Sequence, residues 1–122
     1  MIASDELLNR IAEVLKAMAD PTRLKILHCL HNGERCVSEI LDVVGGSQAN
    51  VSKHLSVLKR AGLVDPRRAG LNVYYRIIDD GVFTICRNVC DSLELRVDHD
   101  RQTILQGRQE VMDLESGKKV KA

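Results

Sequence analysis

Cys36-Val37-Ser38-Glu39-Ile40-Leu41-Asp42-Val43-Val44-Gly45-Gly46-Ser47-Gln48-Ala49-Asn50-Val51-Ser52-Lys53-His54-Leu55-Ser56-Val57-Leu58-Lys59-Arg60-Ala61-Gly62 decides how this 122-residue chain folds. The first part, from Cys36 or Val37 to Val44, reads as a short helix. It is stopped by Gly45 and Gly46, which break the periodicity and permit positive φ. Ser47 then caps a second helix. In that helix Val51, Leu55 and Leu58 share an inward face, leaving Gln48, Asn50, Ser52, Lys53, His54 and Ser56 outside. Gly62 after Ala61 ends it.

On the N-terminal side, Leu7, Leu8, Ile11, Val14, Leu15 and Met18 recur at helical spacing, which predicts an amphipathic helix over 4–18 capped by Ser4. Asp20, Pro21 and Thr22 give an N-cap and a proline in the first turn of a further helix, which runs to near Gly33. Towards the C-terminus, Leu63–Arg68 and Val73–Ile78 are β-prone runs around a Gly-containing tip, a hairpin with basic strands. From Asp79 to about Leu114 the pattern is helical again, with a stripe of Val82, Ile85, Cys86, Val89, Cys90, Leu93 and Val97 and a break near Asp98 or Gly107. The expected fold is mainly α with a small β-hairpin, in the order α-α-α-α-β-β-α. One domain spans 1–115, and the Lys-rich tail 116–122 is expected to be disordered.

Composition narrows the function class. The chain is 44% hydrophobic and 29% charged, with Tyr74, Tyr75 and Phe83 its only aromatics, so aliphatic side chains must build the core. It has no apolar run of membrane-spanning length and no basic and apolar leader, which argues against membrane insertion and secretion. Four cysteines in such a chain are expected as reduced thiols in a cytoplasmic protein. No Gly-rich phosphate loop and no Cys/His triad signature is present, so catalysis is not expected. The net charge is only +1, but Lys53, Lys59, Arg60, Arg67, Arg68 and Arg76 face the single acid Asp65 between Lys53 and Arg76.

Two short helices joined by a tight turn, the second carrying short polar and basic side chains, suit a helix that lies in the DNA major groove. Ser47, Gln48, Asn50, Ser52, Lys53 and His54 are therefore the candidate DNA-contacting residues. Arg67 and Arg68 beside the hairpin tip would add contacts to an adjacent groove or the backbone. Taken feature by feature, the same residues also fit a helix pair and hairpin that merely pack, with the arginines as solvated strand charges.

The motifs Ser47-Gln48-Ala49-Asn50-Val51-Ser52-Lys53-His54-Leu55, Ala61-Gly62-Leu63-Val64, Arg67-Arg68-Ala69-Gly70 and Tyr74-Tyr75, with Ala19-Asp20-Pro21-Thr22-Arg23-Leu24 upstream, resemble the ArsR/SmtB family of bacterial repressors. The resemblance runs from about residue 6 to 95. It implies a winged helix-turn-helix repressor that dimerises through its first and last helices and sets two recognition helices in successive major grooves of double-stranded operator DNA. An apolar stripe on the last helix without a partner inside so small a domain agrees with a homodimer.

Cys86 and Cys90, four apart on a helix, would place their Cβ atoms roughly 5 to 6 Å apart on one face. A disulfide wants about 3.8 Å, so capture of a soft ion fits that spacing better than a direct bond. As(III), Cd(II), Hg(II), Pb(II) and Cu(I) are the candidate inducers, and no resident cofactor is required. The alternative is that both thiols pack in the apolar stripe. In arsenic- and cadmium-responsive members of the family a paired-cysteine motif often opens the third helix. The matching positions here are Cys36, Val37 and Ser38, so a second thiol is missing; Cys36 is a candidate third ligand, against the favoured reading of a lone half-buried thiol at a helix start. Cys29 is expected in the core, His28 and His31 at a solvent-facing helix end, and His99 at the surface. A zinc site of the kind known on the family's last helix is not expected, because Asp80 is followed by Gly81 and Val82 and no histidine precedes His99. A second regulatory reading keeps the repressor and makes its trigger an oxidant or reactive sulfur species acting on one cysteine.

Overall fold

The computed structural model describes residues 3–96 and 98–117, the side chains of residues 98 and 99 excepted. Val97 of the expected stripe, the side chain of His99 and residues 118–122 of the expected tail lie outside the described residues. Helix α1 spans Ala3–Met18, α2 Pro21–Cys29, α3 Val37–Val44, α4 Gln48–Arg60, α5 Gly81–Glu94 and α6 Asp98–Glu115, with strands β1 Arg35–Cys36, β2 Val64–Ala69 and β3 Asn72–Ile77.

Local chemistry sets the helix ends. The Asp20 carboxylate accepts from the Arg23 backbone N–H at 3.1 Å, with Pro21 opening α2. At the head of α3, Glu39 accepts from the Cys36 backbone N–H at 3.0 Å. Ser47 Oγ accepts from the Asn50 N–H at 3.1 Å, the cap expected for α4. Beyond α4, Gly62 takes φ +79°, its N–H donating to the Lys59 carbonyl while the Leu63 N–H reaches Leu58. That pair of bonds satisfies two carbonyls at the helix end and turns the chain into β2.

The strands form one antiparallel sheet in the order β1-β3-β2. Ala69 pairs with Asn72, which leaves Gly70 and Leu71 as a two-residue loop with Gly70 at φ +63°. The hairpin is the one expected, but the sheet has a third strand: Arg35 pairs with Tyr75 and Cys36 with Tyr74. Two residues are too few to show alternation, so β1 exists only because β3 offers it a free edge.

Ile26, Leu27, Leu30, Ile40, Val51, Leu55, Leu58, Val64 and Phe83 are wholly or almost wholly buried and bring α2, α3, α4, β2 and α5 into one core. The helical stretch expected from Asp79 to about Leu114, counted as one element in the expected order, is two helices. The first of the expected breaks, near Asp98, is the one found, whereas Gly107 lies within α6. After α5 the chain reverses, and α6 packs back on α5 and α2 with Leu114 in the core. The return gives His28 a partner, correcting its expected place at a solvent-facing end. His28 is buried against Phe83, and its Nδ1 lies 2.8 Å from Glu115 Oε2.

Candidate nucleic-acid interface

The burial of Val51, Leu55 and Leu58 on one side of α4 fixes what the opposite side presents. Ser47, Gln48, Asn50, Ser52 and Lys53 are all exposed there, with the α3–α4 turn at one end. His54 departs from its expected place among them. Its side chain is only 14% exposed, and Nδ1 sits 3.1 Å from Arg23 Nη1 and 3.9 Å from Asp20 Oδ2. The ring therefore turns towards the start of α2, because residue 54 lies at the border between the buried stripe and the open face.

Arg67 and Arg68 are exposed on β2, close to the hairpin tip. They differ in their surroundings. Arg67 is bound through two nitrogens to the Glu34 carboxylate and lies over the Tyr74 ring at 5.2 Å. The Glu34 carboxyl is in turn held below the usual carboxylate range by that guanidinium. Arg76 is similarly paired with Asp65 at 2.9 Å. Lys53, Lys59, Arg60 and Arg68 have no ion-pair partner among the described residues, so they supply the uncompensated charge of this region.

The cysteines fall into three environments, and all four are free. Cys29 is fully buried, and desolvation pushes its thiol up to about 12. Cys36, 8% exposed, heads α3 with Sγ 3.2 Å from Ser38 Oγ. Cys86 and Cys90 lie one turn apart on α5, both half-buried; because the expected last helix is two, they stand on the penultimate one. Burial raises the Cys86 thiol, and the nearby Glu115 charge adds to that effect. Cys90 Sγ accepts from Arg108 Nε at 3.0 Å, and Arg108 also holds Asp91 at 2.7 Å and Glu94 at 3.2 Å. Among the described residues no three His, Cys, Asp or Glu side chains converge to hold a metal ion.

Residues 20–65, which run from the Asp20 cap through α4 into β2, match the family model of the bacterial regulatory proteins, arsR family. An HTH-type transcriptional regulator of Methanocaldococcus jannaschii is 44% identical over 82 residues, covering 66% of this chain and 92% of the relative. The chain belongs to the ArsR family. A homologue of the cadmium resistance regulatory protein CadC from Staphylococcus aureus is 40% identical over 73 residues, covering 59% of this chain and 60% of that protein. The homodimeric winged helix-turn-helix DNA-binding domain of a possible ArsR-family regulator from Mycobacterium bovis superposes with a TM-score of 0.70 at 37% identity, covering 79% of this chain and 93% of that one. An ArsR-family chain with this fold is a DNA-binding transcriptional regulator and not an enzyme.

Two residues of the ArsR-family interface escaped the sequence reading. Glu34 reaches Arg67 only through β1, whose pairing left no periodic signal. Arg23 stands inside the Asp20–Leu24 stretch that carries the family resemblance, yet nothing in that stretch says its side chain reaches α4.

Proposed function

We propose that this ArsR-family chain is a cytoplasmic homodimeric repressor that binds double-stranded operator DNA through α4 and the wing formed by the β2–β3 hairpin, and lets go when a thiophilic ligand binds Cys86 and Cys90. The observation that carries the DNA reading is the solvent face of α4. Gln48, Asn50, Ser52 and Lys53 form a short polar and basic surface, Ser47 caps its start, and the free charge of Arg68 lies on the adjoining wing. Amide and hydroxyl groups of that length suit base edges in the major groove, and the cations suit phosphates. No helix among the described residues is long and apolar enough to cross a membrane.

A second copy is the occupant proposed for the uncovered apolar residues of α1. Leu7, Leu8, Ile11 and Leu15 stand 59%, 62%, 45% and 45% exposed on one side of that helix, while Ala17 and Met18 at its end are buried. Ile85 and Val89 of α5 and Met112 of α6 are exposed as well. Contiguous apolar surface of this kind calls for a partner, and the Mycobacterium bovis domain is itself homodimeric.

The inducer reading rests on the two α5 thiols and on the similarity to a cadmium resistance regulator. As(III), Cd(II), Hg(II), Pb(II) or Cu(I) would displace the thiol protons, so release would strengthen as pH rises. Beyond the two α5 thiols, a third donor would come from Cys36, a second copy or solvent. The Arg108 contact favours a second reading. A guanidinium beside a sulfur is a setting for cysteine chemistry with oxidants or reactive sulfur, and Cys90 has one at 3.0 Å.

Fluorescence anisotropy of the reduced protein on its upstream promoter duplex tests both parts. Salt-sensitive binding is expected, with release by As(III) or a soft ion that is lost in Cys86→Ser and Cys90→Ser; Cys36→Ser shows whether a third thiol takes part. Binding indifferent to every ion but abolished by persulfide or peroxide would move the trigger to cysteine modification. No salt-dependent binding would overturn the repressor.

A further inference from the structure

The Arg23 side chain makes three contacts that the DNA-reading face does not use. Its Nε donates to the Ala17 carbonyl at 2.5 Å, its Nη2 to the Lys16 carbonyl at 3.2 Å, and its Nη1 lies 3.1 Å from His54 Nδ1. Lys16 and Ala17 belong to the last turn of α1, where helix carbonyls lack partners within the helix. One guanidinium thus closes the end of α1 and reaches across to α4. The Arg23 backbone N–H is fixed as well, on the Asp20 carboxylate that caps α2. A guanidinium carries donors only, so His54 Nδ1 must accept, which places the proton of a neutral ring on Nε2.

We propose that Arg23 and His54 form a positioning joint that sets the rotation of α4 relative to α1, His54 acting on DNA through Arg23 rather than by touching it. The inference rests on the reading of α4 as the DNA-contacting helix. Val51, Leu55 and Leu58 already anchor α4 in the core, so the joint is not needed to hold the helix down. What it adds is a directional bond at the border of the exposed face, one residue after Lys53 and one turn after Asn50. Reading base edges requires side chains to be held within about 0.5 Å and 10–20° of their productive placement, and apolar packing alone gives little direction. Because α1 also carries the apolar face proposed to meet a second copy, the same bond links the orientation of α4 to the position of α1. Lysine cannot replace Arg23 here, since an ammonium lacks the planar fork that serves two α1 carbonyls and the ring together.

The test is a double-mutant cycle on the full-length chain, read as promoter-duplex affinity under conditions where urea melts show every variant folded. Arg23→Gln and His54→Ala are each expected to weaken binding by about tenfold. The pair Arg23→Gln/His54→Ala should be no weaker than Arg23→Gln alone. His54→Gln, whose amide oxygen can accept from Arg23, should recover most of the affinity, and Arg23→Lys should not. The slope of affinity against salt stays at the wild-type value, because no phosphate contact is lost. In the free protein, imidazole ¹⁵N shifts should report the Nε2–H form of His54, a signature lost in Arg23→Gln. Independent, additive losses, a shallower salt slope in His54→Ala, or a proton on Nδ1 in the wild type would each overturn the joint. Wild-type affinity in both single variants would overturn the joint alone, whereas absence of binding by the wild-type protein would overturn the repressor reading and the joint's role with it.

Discussion

Lys53 on α4 and Arg67 and Arg68 on β2 carry the same formal charge in different company. Lys53 and Arg68 are exposed and unpaired among the described residues, so each is free to neutralise a phosphate. Arg67 is committed to Glu34 and Tyr74, and binding DNA would require it to leave or share that carboxylate. Lys53→Ala and Arg68→Ala should therefore each weaken operator binding and reduce the salt slope by about 1, measured by anisotropy across a KCl series. Arg67→Ala should move the slope less. Asn50 and Lys53 could be picked from sequence because helical spacing alone separates them from Val51 and Leu55. The turned ring of His54 could not, because the position of its partner Arg23 depends on how α2 crosses α4.

The elements hold their ends by local chemistry. Gly62 is the clearest case, with φ +79° and no atom within 4 Å of where a Cβ would stand. Substitution there meets no clash, so its cost is purely the left-handed backbone. Gly62→Ala should lower unfolding free energy by roughly 1–2 kcal/mol in urea denaturation, and Gly62→Asn by less. Because Gly62 leads directly from α4 into the wing, the loss should be accompanied by weaker operator binding. The caps at Asp20 and Ser47, the Gly45-Gly46 turn and the hairpin were all legible, since each depends on residues within a few positions. Strand β1 was not, nor was the choice between the two breaks expected in the last helical stretch. Both are products of contacts between distant segments, namely the edge of β3 and the surface that α2 and α5 offer to α6.

At the scale of the whole molecule, α6 is closed onto α2 by the His28–Glu115 pair, with His31 3.5 Å from the other carboxylate oxygen. Burial holds His28 below its ordinary value of 6.5, a larger effect than the opposing pull of Glu115. The folded chain therefore takes up this proton less readily than the unfolded one, and stability falls as pH drops through about 6.5. The melting temperature should decline from pH 7.5 to 5.5, and His28→Gln should flatten that decline. The other whole-molecule property is the uncovered side of α1. Ile11→Glu is expected to convert the dimer to monomer in sedimentation experiments and to weaken operator binding, since two half-sites would no longer be held by one particle.

The sequence by itself determined the helix-turn-helix, its caps, the wing and the polar face of α4, along with the family. Those features follow from periodicity and from residues that bond to their own neighbours in the chain. Only the tertiary structure decided that His54 faces Arg23, that Glu34 claims Arg67, that His28 is buried under Glu115, and that Cys90 lies against Arg108. Each of these pairs joins side chains at least 18 residues apart in the chain, and 87 apart in the case of His28 and Glu115. Local pattern fixes which face of an element is polar, but the partner of a polar group is chosen by how the elements pack.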